Sequence, residues 1–156
     1  MPQKGRVTVK RIRKILYATD YSKASDRALE EAISLAKQNK AELLIVHVLE
    51  PIPYGGGEEF GGTELYTRLE DAAKREAQNS MAKLMRRVQR SKAKAKSLLL
   101  RGSAHDQIVR AAKSKKVDMI VIGTYGRTGW SKLFMGSVAA KVVSTATCPV
   151  VTVRNK

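Results

Sequence analysis

Glu42-Leu-Leu-Ile-Val-His-Val-Leu49 is apolar at nearly every position, without alternation between polar and apolar residues. A strand of that kind is buried on both faces, which is the condition of a parallel sheet covered by helices. Four further runs suit the same sheet. They are Lys14-Ile-Leu-Tyr-Ala-Thr-Asp20, Ala93 to Leu100, Val117-Asp-Met-Ile-Val-Ile122 and Pro149-Val-Val-Thr-Val153. Helix-period segments separate them. Ser22 offers a cap, after which Ala24, Ala28, Ala32, Leu35 and Ala36 share one face, small enough to sit close to a sheet. A long helix from about Thr63 to Arg90 is expected to turn Leu65, Leu69, Ala72, Met81, Leu84 and Val88 inward. A third, Ser103 to Lys115, turns Ile108, Ala111 and Ala112 inward, and a fourth covers Val138 to Ser144.

This alternation predicts an α/β fold with an open, doubly wound, five-stranded parallel sheet and helices on both faces. Right-handed crossovers restrict the strand order. With the order 3-2-1-4-5, the first and fourth strands are neighbours and the winding reverses between them. Ligands of such sheets bind in that crevice, beyond the carboxyl ends of the strands.

Two features of the sequence fall at those ends. One is Asp20, which closes the first strand. The other is Gly123-Thr-Tyr-Gly-Arg-Thr-Gly-Trp-Ser-Lys-Leu-Phe-Met-Gly-Ser137, between the fourth strand and the helix after it. Gly123 leaves the strand, Gly126 bends the loop, Gly136 brings bare backbone close to an occupant, and Ser137 is expected to cap the helix. A helix start carries free N–H groups and about half a positive charge, so the loop suits an anion. The spacing is neither G-x-x-x-x-G-K-[ST] nor G-x-G-x-x-G. A nucleotide polyphosphate is the expected anion. Arg127 and Lys132 lie in the loop and offer charge to phosphate, although plain exposed charge explains them equally well.

At 156 residues one domain is expected over 1–156, with a basic lead-in at 1–13 and a flexible loop at 50–63, where Pro51 and Pro53 precede five glycines. No apolar run approaches the roughly 18 residues of a membrane span, and the start lacks the apolar segment of a secretory signal. Cys148 is the single cysteine, so no internal disulfide forms and no metal cluster is assembled around it. A cytoplasmic protein is expected. The net charge of +16 is uneven: residues 1–14 contribute +6, residues 15–78 contribute −5, and residues 79–156 contribute +15. An anionic partner such as nucleic acid would account for that, but the preferred reading is a solvated, highly charged exterior.

The pattern Gly123-x2-Gly126-x9-Gly136-Ser137, with Lys14-Ile-Leu-Tyr-Ala-Thr-Asp20, Leu44-Ile-Val-His-Val48 and Cys148-Pro-Val-Val-Thr-Val153, resembles the nucleotide-binding members of the universal stress protein family. The resemblance runs from about Arg13 to Arg154. It implies a Rossmann-like domain that binds ATP, AMP or ADP, with Mg2+ or Mn2+ held through the phosphates. It further implies that Asp20 contacts the sugar or base and that backbone atoms at Val48 meet the adenine. Gly123, Gly126, Gly136, Ser137 and Val138 would hold the phosphates, Ala18 and Thr19 would line the base and ribose side, and Ile122 would form the floor. A homodimer joined through Val150, Val151, Thr152 and Val153 is implied as well. The basic excess and the glycine-rich 51–62 loop depart from what the resemblance leads one to expect.

A regulatory nucleotide-binding dimer fits these features better than a catalyst. Phosphoryl transfer needs positioned charge and an oriented nucleophile, and only the charge is evident. His47 reads as a core residue and His105 falls at the sheet edge, so slow ATP hydrolysis is the most that is expected. Nucleic-acid binding through Arg86 to Lys96 is the less favoured alternative, because no aromatic residue in that run provides a stacking platform.

Overall fold

The computed structural model describes residues 10–53, 62–124 and 135–154. Along the chain it contains β1 (Lys14–Ala18), α1 (Lys23–Asn39), β2 (Glu42–Leu49), α2 (Gly62–Arg90), β3 (Ala95–Arg101), α3 (Ala104–Ser114), β4 (Met119–Gly123), α4 (Ser137–Thr145) and β5 (Val150–Val153). The strands form one sheet in the order β3-β2-β1-β4-β5, and every pairing is parallel. The expected order and architecture therefore hold. Asp20 lies two residues past β1 rather than inside it.

Each face of the sheet has its own apolar core. Ile15, Tyr17, Leu43, Ile45 and Val121 pack against α1 and the second half of α2. Leu16, Leu44, Val46, Ile120 and Ile122 pack against α3 and α4. Full burial of an Ile or Leu side chain contributes about 1.5–3 kcal/mol, so the two cores together anchor the sheet. In α1, Ala28, Ala32 and Ala36 are buried as their spacing requires, with Ser25 and Leu29 completing the face. Ser22 caps this helix by accepting from the Ser25 N–H at 3.3 Å. Tyr17 is fully buried, and its hydroxyl donates to the Ser25 carbonyl at 2.8 Å.

The first half of α2 departs from expectation. Leu65 is 46% and Leu69 48% exposed, and Ala72 is exposed too, whereas Ala77, Met81 and Val88 are buried. The reason is length. A 29-residue helix runs about 44 Å at 1.5 Å per residue, roughly twice the span of the strand beside it, so its first turns have no sheet to cover.

The turns leading into β2, β3 and β4 share one device. Lys40, Lys92 and Lys116 take left-handed backbone angles, with φ of 54°, 60° and 52°. At the ends of α1 and α3 the following residue closes a six-residue turn: Ala41 N–H donates to Ala36 O at 2.8 Å, and Val117 N–H to Ala112 O at 2.9 Å. Glycine is the usual occupant of that left-handed position, and a residue with a Cβ costs about 1 kcal/mol or more there.

Candidate functional site

The strands start level, β2 and β3 run three residues beyond the end of β1, and the carboxyl ends open onto a cavity of about 540 Å³. That falls in the range of small-ligand pockets. Ala18, Thr19 and Asp20 line it from the end of β1, Val48 from β2, and Ile122 and Gly123 from β4. Gly136, Ser137 and Val138 line it from the start of α4. Nine of the eleven residues expected at the site thus surround one space. Gly126 and Arg127, with Lys132, lie outside the described residues.

The β1 end is held by a compact hydrogen-bond lattice. Thr19 N–H donates to Val46 O at 2.9 Å, while Thr19 Oγ1 accepts from Tyr21 N–H at 2.9 Å and lies 3.2 Å from Ser25 Oγ. Asp20 Oδ1 accepts from Ser22 N–H at 2.9 Å, a local turn that fixes the carboxylate on the cavity wall. Asp20 therefore does structural work beside whatever it does for a ligand.

His47 is buried, as its strand predicts, but it also lines the cavity. Its Nδ1 sits 2.8 Å from the Thr19 carbonyl, which can only accept, so Nδ1 carries the proton. Tyr21 stacks on the imidazole with ring centroids 4.2 Å apart, and its hydroxyl donates to Ala77 O at 3.1 Å. Burial, followed by the neighbouring Tyr17, pushes the Tyr21 phenol up to about 12. Tyr21 adopts a left-handed φ of 62°, and this directs its ring back over β2. His105, in the first turn of α3, meets Ser103 and Asp106 and is not part of the cavity wall.

At the opposite wall, Gly136 N–H donates to Thr124 O at 2.6 Å, closing the neck of the loop that leaves β4. Gly136, not Ser137, is the N-cap residue of α4. Ser137 is instead the first helical residue and is exposed. Glycine has no side chain with which to cap, and the first intrahelical bond is Ala140 N–H to Gly136 O at 3.0 Å. The N–H groups of Ser137, Val138 and Ala139 consequently precede the helical ladder, at the positive end of the α4 dipole and against the cavity. The expected role of Gly136 narrows to its shape, because its own N–H is used within the fold.

Several wall residues were not anticipated. Glu76, Ala77 and Ser80 come from α2, and Glu50 accepts from Ala104 N–H at 3.2 Å, at the start of α3. A shift of one position in reading the inner face of α2, from Ala72 to Ala73 and Ala77, hid its share of the wall. Among the described residues no group of three or more His, Cys, Asp or Glu is arranged to hold a metal ion. No helix among them is long and apolar enough to cross a membrane.

An open doubly wound α/β sheet with a crevice at its switch point, walled by a carboxylate on one side and a helix start on the other, places the chain in the class of Rossmann-like α/β proteins. The universal stress protein family model matches residues 11–154, and the chain belongs to that family. It is 41% identical over 140 residues to a universal stress protein of Thermus aquaticus, covering 90% of this chain and 97% of the relative. Among solved structures it superposes on the universal stress protein UspA from Lactobacillus plantarum with a TM-score of 0.83 at 26% identity, covering 94% and 100% of the two chains. It also superposes on the universal stress protein from Archaeoglobus fulgidus in complex with dAMP. That likeness, with a TM-score of 0.66 at 24% identity over 92% and 98% of the chains, is one of fold.

Proposed function

We propose that the chain binds an adenine nucleotide in this cavity and acts as a nucleotide-dependent regulatory protein. The observation that carries the reading is the pairing of Asp20 with the α4 start across one cavity. A carboxylate suits ribose hydroxyls, and backbone N–H groups with the Ser137 hydroxyl suit phosphate oxygens. The apolar strip of Ala18, Val48 and Ile122 between them suits a purine ring. A protein of the same fold, the universal stress protein from Archaeoglobus fulgidus in complex with dAMP, supports adenine as the base. A divalent cation would reach the site through the phosphates, since the wall offers no ready cluster of ligands among the described residues.

The terminal position of β5 in the sheet supports a second part of the reading, a homodimer in which Val150–Val153 pairs with its copy. A single cysteine suits a reducing, cytoplasmic setting. Regulation rather than turnover fits a cavity whose histidine is committed to the Thr19 carbonyl.

Isothermal titration calorimetry with ATP, ADP and AMP, with and without magnesium, tests the binding. Saturable heat with at least one of them is expected, and its absence with all three would remove the proposal. Mass spectrometry of ligand released from freshly purified protein checks the base. A single-turnover assay with labelled ATP separates regulation from catalysis, and rapid hydrolysis would overturn the regulatory reading.

A further inference from the structure

The end of the sheet opposite the cavity carries most of the unbalanced charge. Lys10, Arg11, Arg13 and Lys14 lead into β1. Lys37 and Lys40 flank the turn into β2, Arg90, Lys92 and Lys94 the turn into β3, and Lys113, Lys115 and Lys116 the turn into β4. These are distant in sequence, and the parallel topology collects them. Glu42 N–H donates to Arg13 O, Leu43 N–H to Lys94 O, and Asp118 N–H to Lys14 O, each at 2.8–2.9 Å, so the four strand starts lie level. Neighbouring strands are about 4.8 Å apart, which spreads the row from β3 to β4 over roughly 14 Å.

Among the described residues two carboxylates, Asp118 and Glu42, sit at the strand starts, and both are already paired. Asp118 meets Lys10 at 2.8 Å and Glu42 meets Lys96 at 3.2 Å. Lys37, Arg90 and Lys113 sit in last helical turns, where the helix dipole accounts for a cation. The dipole does not account for Arg11, Arg13 or Lys94. Nor does it account for lysine in all three left-handed turn positions, Lys40, Lys92 and Lys116, each exposed and each at a site where glycine is the easier residue.

We propose that this strand-start end binds the phosphate backbone of double-stranded nucleic acid without reading sequence. None of the chain's aromatic residues belongs to these turns, so the stacking that holds single strands is missing. Among the described residues Leu65, Leu69 and Met135 are exposed toward the cavity end, and only Val143, in the last turn of α4, is a large apolar side chain exposed toward this end, too little to insert into a lipid surface. What remains is a broad cationic face, the electrostatic footprint of a duplex binder.

The test is fluorescence anisotropy of a labelled 20-base-pair DNA duplex of mixed sequence, with the full chain, from 50 to 200 mM salt. Binding at 50 mM is expected, with affinity falling about 100-fold or more by 200 mM as counterions are released. The triple variant K40G/K92G/K116G removes three charges at positions that glycine fits better. It should melt at the same temperature or higher, yet bind about tenfold or more weakly, with a salt slope shallower by about 2–3. The charge-matched variant K23Q/R27Q/K74Q, which also loses three charges but away from this end, should bind within about threefold of the parent. Equal losses in both variants would overturn the assignment, as would no binding at 50 mM salt. Binding to phosphatidylserine vesicles without binding to the duplex would also overturn it, in favour of a membrane surface.

Discussion

The two ends of the sheet are built by opposite means. At the amino end, α1, α2 and α3 pass into β2, β3 and β4 through short turns closed by backbone hydrogen bonds. At the carboxyl end the connections from β2 to α2 and from β4 to α4 run to 12 and 13 residues, although β1–α1 and β3–α3 are joined by only four and two. Tight turns leave little for a ligand to enter, so chemistry there is confined to the outward-facing side chains. The cavity lies at the other end, lined by strand ends, by α2 and by the starts of α3 and α4. The same strands thus present charge at one end and shape at the other.

This contrast can be broken deliberately, and the largest effect is expected at the cavity. Asp20→Ala should weaken adenine-nucleotide binding about 10–100-fold in calorimetry, the worth of hydrogen bonds to a charged group. The duplex affinity of the opposite end should stay as it was.

The converse change is Asp118→Ala. Asp118 Oδ2 accepts from Arg13 N–H at 2.9 Å and Lys14 N–H at 3.1 Å, and Oδ1 pairs with Lys10. Chemical denaturation should show a loss on the order of 1–3 kcal/mol, with nucleotide affinity retained in the folded fraction. The Lys10 partner, reinforced by the two backbone donors and opposed by desolvation, holds this carboxyl below its ordinary value. A depressed carboxyl stabilises the fold above its unfolded value of about 4, and that contribution is lost as pH falls through the lower folded value. The parent should therefore lose more stability than the variant in strong acid.

Tyr21→Phe tests the cavity wall with a smaller effect, about 0.5–1.5 kcal/mol from the lost bond to Ala77 O. The folded phenol is raised from 10.0 to about 12, so its contribution is complete below pH 10 and lost between 10 and about 12. Alkaline denaturation monitored by circular dichroism should be displaced to a smaller extent in the variant. The smallest effect belongs to Lys40→Gly, which should raise the melting temperature by a degree or two, if the left-handed turn carries strain as its φ of 54° indicates.

The sheet was legible because the apolar run Glu42–Leu49 tolerates only a central, parallel position. The cavity wall was legible from Asp20 and the Gly123–Gly136 spacing, once strand order brought them side by side. Elsewhere periodicity misled. Leu65 and Leu69 have core spacing, but nothing in a helical pattern reveals that the helix outruns the sheet it packs on. Ser137 looks like a cap because serine usually is one, while the preceding glycine takes the place by backbone angle alone. The lysine turns escaped notice for a related reason: glycine is the sequence signal of a left-handed turn, and these turns lack it. His47 reads as interior and is, but a buried residue at a strand's end can also face a cavity.

The bond from Gly136 N–H to Thr124 O draws the chain together where it leaves β4 and where it returns. Thr124 is itself tied to the sheet through Val153 O at 2.9 Å. With both stems so fastened, the end of β4, the start of α4 and the edge strand β5 are laced into one rim, so a displacement of any one of them pulls on the other two.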